Sequence, residues 1–372
     1  SYDYFRDKYA ASYYGAPLVA RSAACDPSNI VSAPGDLVLD KAERDTNYNP
    51  RNALMESDSH WLRTRLAYTL SDQWEFINEL AYYSADRNWV ETDSYTFNPA
   101  TGLLDRSTGR IAHDQDFVSE RVYTHFDGEL AGYRNRFTIG GEYKHSNFTT
   151  PRRFGSASSL TVANPDRGHV PGDSAANFAT RVNYDSQVDT VGVFAENALN
   201  LTDDFIVVAG ARYEHIDLDR RIDDLVASTT TTFGRSFDPV SWRLGAVYEL
   251  SDSDQVYAQF NHAVSPIGSL LLSNPTNARF DLSDVRATEL GARADLWRDR
   301  VTLTTAVYRL SQDDIVTRDP ANPSLSVQGG GIEAEGVEVD LTVRPHERWW
   351  INLNGAWNDA EYFYYAEALS LY

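Results

Sequence analysis

Apolar and polar positions alternate with a period of two along most of this chain. The clearest stretch is Phe237–Leu250, followed by Asp254–Val264. Trp242, Leu244, Ala246, Tyr248 and Leu250 fall on one face of a strand; Arg243, Gly245, Val247 and Glu249 fall on the other. The run exceeds the roughly five or six residues typical of strands in soluble proteins. A tight turn of Ser and Asp follows, and a second amphipathic strand leaves it at once. The pair reads as a long hairpin, apolar on one side, with aromatic residues near its ends. Transmembrane β-barrels are built from such hairpins.

The same unit recurs. Residues 57–70 carry Leu62, Leu66, Tyr68 and Leu70 on one side and Arg63 and Arg65 on the other, and Trp74–Trp89 returns. Further hairpins are Phe117–Glu129 with Tyr133–Phe148, Gln187–Leu201 with Phe205–Asp219, Asp284–Leu296 with Arg300–Thr317, and Ile332–Val343 with Arg348–Ala360. Their turns centre near residues 72, 131, 203, 252, 298 and 346. Between them the pattern predicts long connections at 11–56, 90–115, 149–185, 222–236, 265–283 and 318–331. Nothing in a soluble meander makes every second loop long, and a propeller would show four short strands per unit. The expected fold is all-β: an antiparallel transmembrane β-barrel with short periplasmic turns and long extracellular loops.

Composition fits that reading. No run of about 18 apolar residues exists, so no transmembrane helix is expected. The mean hydropathy of −0.45 does not oppose a barrel, whose strands show lipid only every second residue. Tyr (22), Phe (16) and Trp (8) are plentiful enough for interfacial girdles. The formal charge of −21 argues against a nucleic-acid binder. Cys25 is the only cysteine, so no intrachain disulfide forms, and it reads as a free thiol in a loop. The chain opens on Ser1 and shows no signal peptide, as expected of a processed chain or a piece of a longer one.

Several segments resemble the TonB-dependent outer-membrane receptors, the ferric-siderophore receptors above all. They are GVFAENALNLTDDFIVVAGARYE from Gly192 to Glu214, RLGAVYELSDSDQVYAQFNHAVSP from Arg243 to Pro266, and TELGARADLWRDRVTLTTAVYRL from Thr288 to Leu310. EAEGVEVD from Glu333 to Asp340 and the Tyr14-Gly15-Ala16-Pro17 turn add to them. The resemblance runs through most of the chain and rests on the order and spacing of these segments. It implies a barrel of about 22 strands, of which about 13 are counted here. The whole of 1–372 is then an internal portion of the barrel, with the N-terminal plug domain and several strands before Ser1 and about five strands after Tyr372. It also implies residence in the outer membrane among lipid and lipopolysaccharide, as a monomer, with coupling to TonB and its partners ExbB and ExbD through the region that carries the plug.

Catalytic patterns are not seen: the chain has no GxSxG, HExxH, CxxC or P-loop, and no His pair at helical metal-ligand spacing. Asp223-Asp224 and Asp313-Asp314 read as solvated charge at loop edges. No enzyme activity, resident metal or cofactor is expected. The resemblance implies capture of a ferric siderophore at the outer mouth and TonB-driven import. Candidate ligand-binding residues are Tyr13, Tyr14, Trp89, Tyr95, Phe97, Arg152, Arg153 and Phe154: aromatic faces to grip the chelate and Arg to pair with its charge. Taken singly, each is more often an ordinary loop or girdle residue. Gly210, Gly245 and Gly291 fall on the lumen side, together with Arg212, Glu214, Arg243, Glu249, Glu289, Arg293, Glu338 and Asp340, expected to pair with one another or with a plug. Other readings are a TonB-dependent receptor for cobalamin, haem, a metal chelate or a glycan, a passive porin, and a soluble β-rich binding protein.

Overall fold

The computed structural model describes residues 1–10, 15–265, 275, 277–297, 300–319 and 325–363. Its body is one antiparallel sheet in which each strand pairs with its neighbour in sequence. In chain order the strands are β1 (Tyr2–Tyr9), β2 (Leu54–Thr69), β3 (Trp74–Asn98), β4 (Leu103–Leu130), β5 (Tyr133–Leu160), β6 (Thr180–Asn200) and β7 (Phe205–Asp224). There follow β8 (Val240–Glu249), β9 (Gln255–Ser265), β10 (Ser283–Leu296), β11 (Val301–Asp313), β12 (Gly331–His346) and β13 (Trp349–Phe363). A further strand, Thr229–Phe237, pairs with the outer half of β7 and leads into β8 across Asp238-Pro239. The sheet is open among the described residues: β1 pairs only with β2, and β13 only with β12. It is thus a partial barrel of 13 successive strands, the number read from the alternation.

One face is apolar over a band. Leu62, Leu66, Tyr68, Leu80, Ile139, Val193, Leu244, Leu290, Val307 and Leu353 all project from it and are exposed. Exposure of so many large apolar side chains is untenable in water and ordinary in lipid. At the inner edge Trp74, Phe126 and Phe137 pack ring against ring at 5.0–5.4 Å, as a girdle does. The inner turns are short. Ala131 and Gly132 both take positive φ, 53° and 85°, the pair of left-handed residues a two-residue hairpin requires.

The outer connections depart from the sequence reading. Residues 90–115 were expected as loop, yet β3 runs to Asn98 and β4 starts at Leu103. Within 149–185, β5 runs on to Leu160 and β6 resumes at Thr180; within 222–236, strand resumes at Thr229. Above the membrane both faces of a strand meet water or other protein, so the apolar–polar alternation fades while backbone pairing continues. Pro151 is tolerated because pairing with β4 is not continued across Ala112 and His113. The stretch 11–56 also carries structure: a small sheet of 18–20, 30–32 and 37–40 and two 3₁₀ turns. Of 265–283 and 318–331, large parts lie outside the described residues; at 316–318 and 326–328 a small hairpin forms.

This outer structure is tied down on the face continuous with the lipid-facing side. Val19, Val38, Tyr48, Leu104, Leu160 and Val162 form a buried cluster there. Arg106 donates to the carbonyls of Ser158, Tyr48 and Arg167 at 3.0–3.3 Å. Asp173 accepts from Arg153 and Arg181, both at 2.7 Å. The opposite face of the outer strands is left free to line the mouth.

Candidate functional site

Two zones line the lumen. The lower one is a network of charge pairs. Glu142 Oε2 accepts from Arg121 at 2.9 Å and from Arg212 at 3.1 Å, and Arg212 also reaches Glu214 at 2.8 Å. Arg65 meets Glu79 at 3.4 Å, and Arg243 meets Glu196. The expected partnership of Arg212 with Glu214 is present. Arg243 pairs across strands rather than with Glu249, and Glu289 accepts from Tyr257. These charges largely neutralise one another.

The upper zone lies beyond the apolar band, which on β4 ends at Val118 and gives way to Asp116 and Asp114 on the same face. Strand register builds it row by row. Arg87 on β3 stands opposite His113 on β4. The β4–β5 register places His113 across from Thr150, and Thr150 stands opposite Tyr184 on β6. One row further out, Trp89, Ile111 and Arg152 stand abreast. One row further in are Phe148, Ser186 and Arg220. The side chains close into one wall. The His113 ring lies between Trp89, at 4.5 Å, and Phe148, at 4.9 Å. The Arg152 and Arg220 guanidinium groups lie 5.6 and 4.9 Å from the Tyr184 ring. Arg87 donates to the Tyr83 hydroxyl at 2.9 Å. Below, Trp61, Tyr83 and Phe117 extend the aromatic surface, with Lys144 4.8 Å from the Phe117 ring.

The electrostatics are those of a cationic, dry wall. Burial, reinforced by the Arg152 and Arg87 charges, pushes the His113 imidazole down to about 4, so it is neutral at physiological pH. Burial likewise pushes the Arg220 guanidinium down to about 10. Among the described residues neither Arg87 nor Arg152 has a carboxylate within ion-pair distance. Such a surface suits a planar, electron-rich, negatively charged ligand. No three His, Cys, Asp or Glu side chains among the described residues are placed to hold a bare metal ion.

A family profile described as "TonB dependent receptor-like, beta-barrel" matches residues 3–370. The chain belongs to the TonB-dependent receptors. As such it is an outer-membrane β-barrel of Gram-negative type. It is similar to the probable TonB-dependent siderophore receptor PiuA of Acinetobacter baumannii, 19% identical over 82% of this chain and 44% of the relative. It is similar to the catecholate siderophore receptor Fiu of Escherichia coli K12, 22% identical over 92% of this chain and 47% of the relative. The solved structures of Fiu in its closed form and of PiuA superpose with TM-scores of 0.76 and 0.77 at 16% identity. They cover 97% of this chain and 55% and 53% of theirs. The chain therefore spans about half the length of these relatives.

Of the residues singled out in the sequence, this receptor barrel brings Trp89 and Arg152 together on the wall, with Phe154 on the same face. Tyr95 and Phe97 do not join them. An irregularity between Thr92 and Ser94 reverses the facing of the strand beyond it. Both rings then pack against the buried cluster around Tyr48, and Tyr95 donates to the Gly15 carbonyl. Arg153, one step from Arg152, faces away and holds Asp173. Tyr13 and Tyr14 lie outside the described residues. Sequence reading missed Arg87, His113, Thr150, Tyr184 and Arg220. Period-two parity could have placed each on the lumen face, but which of them stand abreast depends on strand register.

Proposed function

We propose that this barrel is the outer-membrane portion of a receptor that captures a ferric siderophore at its extracellular mouth and imports it with TonB-coupled energy. The observation that carries the reading is the Trp89–His113–Arg152–Tyr184 wall, an aromatic and cationic surface at the outer end of a TonB-dependent barrel. Siderophore receptors among the similar proteins support it. A ferric chelate is too large and too scarce for diffusion through an open pore, so it must be bound tightly and released by work done on the site. In the full receptor a plug domain would rest on the lower charge network. It would couple to TonB, with ExbB and ExbD, through its N-terminal region.

The test is radioiron uptake by iron-starved cells with and without the gene, in TonB-positive and TonB-negative backgrounds. Uptake of at least one ferric siderophore that depends on both genes is the expected result. Uptake independent of TonB would point to a passive channel. TonB-dependent uptake of cobalamin, haem or a glycan instead would keep the machine and change the cargo.

A further inference from the structure

Three tyrosine hydroxyls on the lipid-facing side end on a carboxylate that also meets an imidazole. Tyr143 and His145 of β5 both meet Oδ1 of Asp189 on β6, at 2.8 Å each. Tyr213 and His215 of β7 both meet Oδ1 of Asp238, at 2.7 and 2.8 Å. On β1 and β2, Tyr4 donates to Asp58 at 3.0 Å, and His60 Nε2 lies 3.4 Å from the same carboxylate. In the first two sets tyrosine and histidine are two positions apart and share a face, a pattern visible in the chain as Tyr-Lys-His and Tyr-Glu-His.

All three sets stand at one level. His60, His145 and His215 each follow, by one same-face step, the last apolar or aromatic residue of the band on its strand: Leu62, Tyr143 and Tyr213. Each lies about ten residues past the inner turn, the length of strand that crosses a bilayer. The first two sets are contiguous. Exposed Val191 stands between Tyr143 and His215, and Asp189 stands opposite Asp217, which meets His215 Nε2 at 3.1 Å. An interfacial girdle needs only the rings. A carboxylate and an imidazole fixed on each hydroxyl cost desolvation at this boundary and build a patterned polar surface there.

The sign of the charge decides what that surface fits. Phosphate-bearing headgroups call for Lys or Arg. Along β5, β6 and β7 the nearest guanidinium of this face is Arg221, six positions beyond His215, and it holds Asp223 at 2.9 Å. The charged neighbours at the level of the sets are acidic: Glu120, opposite Tyr143 on β4, Asp116 on the same strand, and Asp217. Carboxylates, imidazoles and exposed tyrosine rings suit a hydroxyl-rich ring instead, whose hydroxyls donate to carboxylates in charge-assisted bonds.

We infer that Tyr143, His145, Asp189, Tyr213, His215 and Asp238 form a docking surface for the saccharide headgroup of an outer-leaflet glycolipid, held through its hydroxyls rather than its phosphates. The acyl chains lie on the apolar band just below, where Val191 and Val193 are exposed. Tyr4, Asp58 and His60 repeat the surface on β1 and β2. The surface is outside the barrel wall, so the inference does not depend on the cargo.

The purified full-length receptor that carries this barrel is titrated in neutral detergent with three lipids: dephosphorylated lipid A, whose disaccharide headgroup is neutral, bisphosphorylated lipid A, and phosphatidylglycerol. A chelator is present throughout, so that no divalent cation bridges phosphate to carboxylate, and bound lipid is counted by native mass spectrometry. Dephosphorylated lipid A is expected to bind at least as tightly as the bisphosphorylated form and about tenfold more tightly than phosphatidylglycerol. His145→Ala with His215→Ala should weaken both forms of lipid A about tenfold and leave phosphatidylglycerol unchanged. Tyr143→Phe with Tyr213→Phe, which keeps the rings, should lose less. If the double Ala variant loses its heat-modifiable barrel mobility, the Phe pair decides in its place. Bisphosphorylated lipid A binding about tenfold or more tightly than the dephosphorylated form overturns the inference, because phosphate is then the handle. Full lipid A affinity in the folded variants overturns it as well. Neither result bears on the siderophore-receptor reading.

Discussion

Tyr257 on β9 stands opposite Gly291 on β10, and a Cβ on Gly291 would lie 2.4 Å from the tyrosine ring. The glycine exists to let the ring lie across the strand, where the hydroxyl donates to Glu289 at 2.5 Å. The same arrangement recurs where Tyr308 stands opposite Gly336. An aromatic side chain covering a facing glycine pins register between strands.

Gly291→Ala is therefore expected to displace the Tyr257 ring and break its bond to Glu289, costing about 1–3 kcal/mol. The measurement is the unfolding midpoint of the full receptor in urea. Tyr257→Phe should cost less, since the ring remains. An unchanged midpoint in Gly291→Ala would mean the ring relocates freely and register is set elsewhere.

Glu142 holds two guanidinium groups on one carboxylate oxygen. Its side chain is only 12% exposed, whereas Arg121 is 45% exposed and water screens that side of the pair. Glu142→Ala leaves Arg121 without its partner and should destabilise the barrel by about 1–3 kcal/mol. Glu142→Gln, which keeps a hydrogen-bond acceptor, should lose less. Arg212 retains Glu214, so the double variant Glu142→Ala with Arg212→Ala should cost less than the sum of the singles.

His113 makes stability depend on pH. Its folded-state pKa, about 4, lies below the ordinary 6.5, so the folded protein binds fewer protons than the unfolded chain between these values. The contribution is present above pH 6.5 and is lost as pH falls toward 4. The melting temperature of wild type should drop between pH 7 and pH 5, and His113→Gln should drop less. Equal drops in the two proteins would place the acid sensitivity elsewhere.

Asp173 anchors the segment between β5 and β6 to the outer strands. The Arg181 bond, offset partly by burial and reinforced by Arg153, holds its carboxyl below the usual range. The tie persists to acid pH and fails only as pH drops through that lowered value. Asp173→Asn should leave the barrel intact and raise protease cleavage within 161–179 severalfold at neutral pH. Cleavage no faster than in wild type would show that the Val90, Val170 and Phe178 packing is sufficient by itself.

Much of the fold was legible because a lipid-facing strand cannot hide its pattern. Leu62, Leu66 and Tyr68, or Leu244, Ala246 and Tyr248, must alternate with lumen residues wherever one face meets hydrocarbon. The inner turns were legible for a similar reason, since Ser, Asp and Gly mark tight reversals. Beyond Val118 on β4 and Tyr82 on β3 that constraint lapses. The outer ends of these strands, beyond Trp89 on β3, before Phe117 on β4 and beyond Phe148 on β5, therefore read as loop although strand pairing, with local interruptions, runs on through them.

The sequence by itself determined the class of this protein, its succession of long membrane-level strands and the face on which each membrane-level side chain lies, because those follow from local periodicity; the added strand Thr229–Phe237 was not legible. Only the tertiary structure decided what meets at the mouth. Tyr95 and Phe97 were turned away by one irregularity near Thr92, and Arg152 and Arg153 were sent to opposite faces with opposite fates. Arg87, His113 and Thr150 became one site through registers spanning three strands and more than sixty residues of chain. Register is a property of paired strands, set by side-chain packing and turn geometry together, and no single stretch of sequence states it.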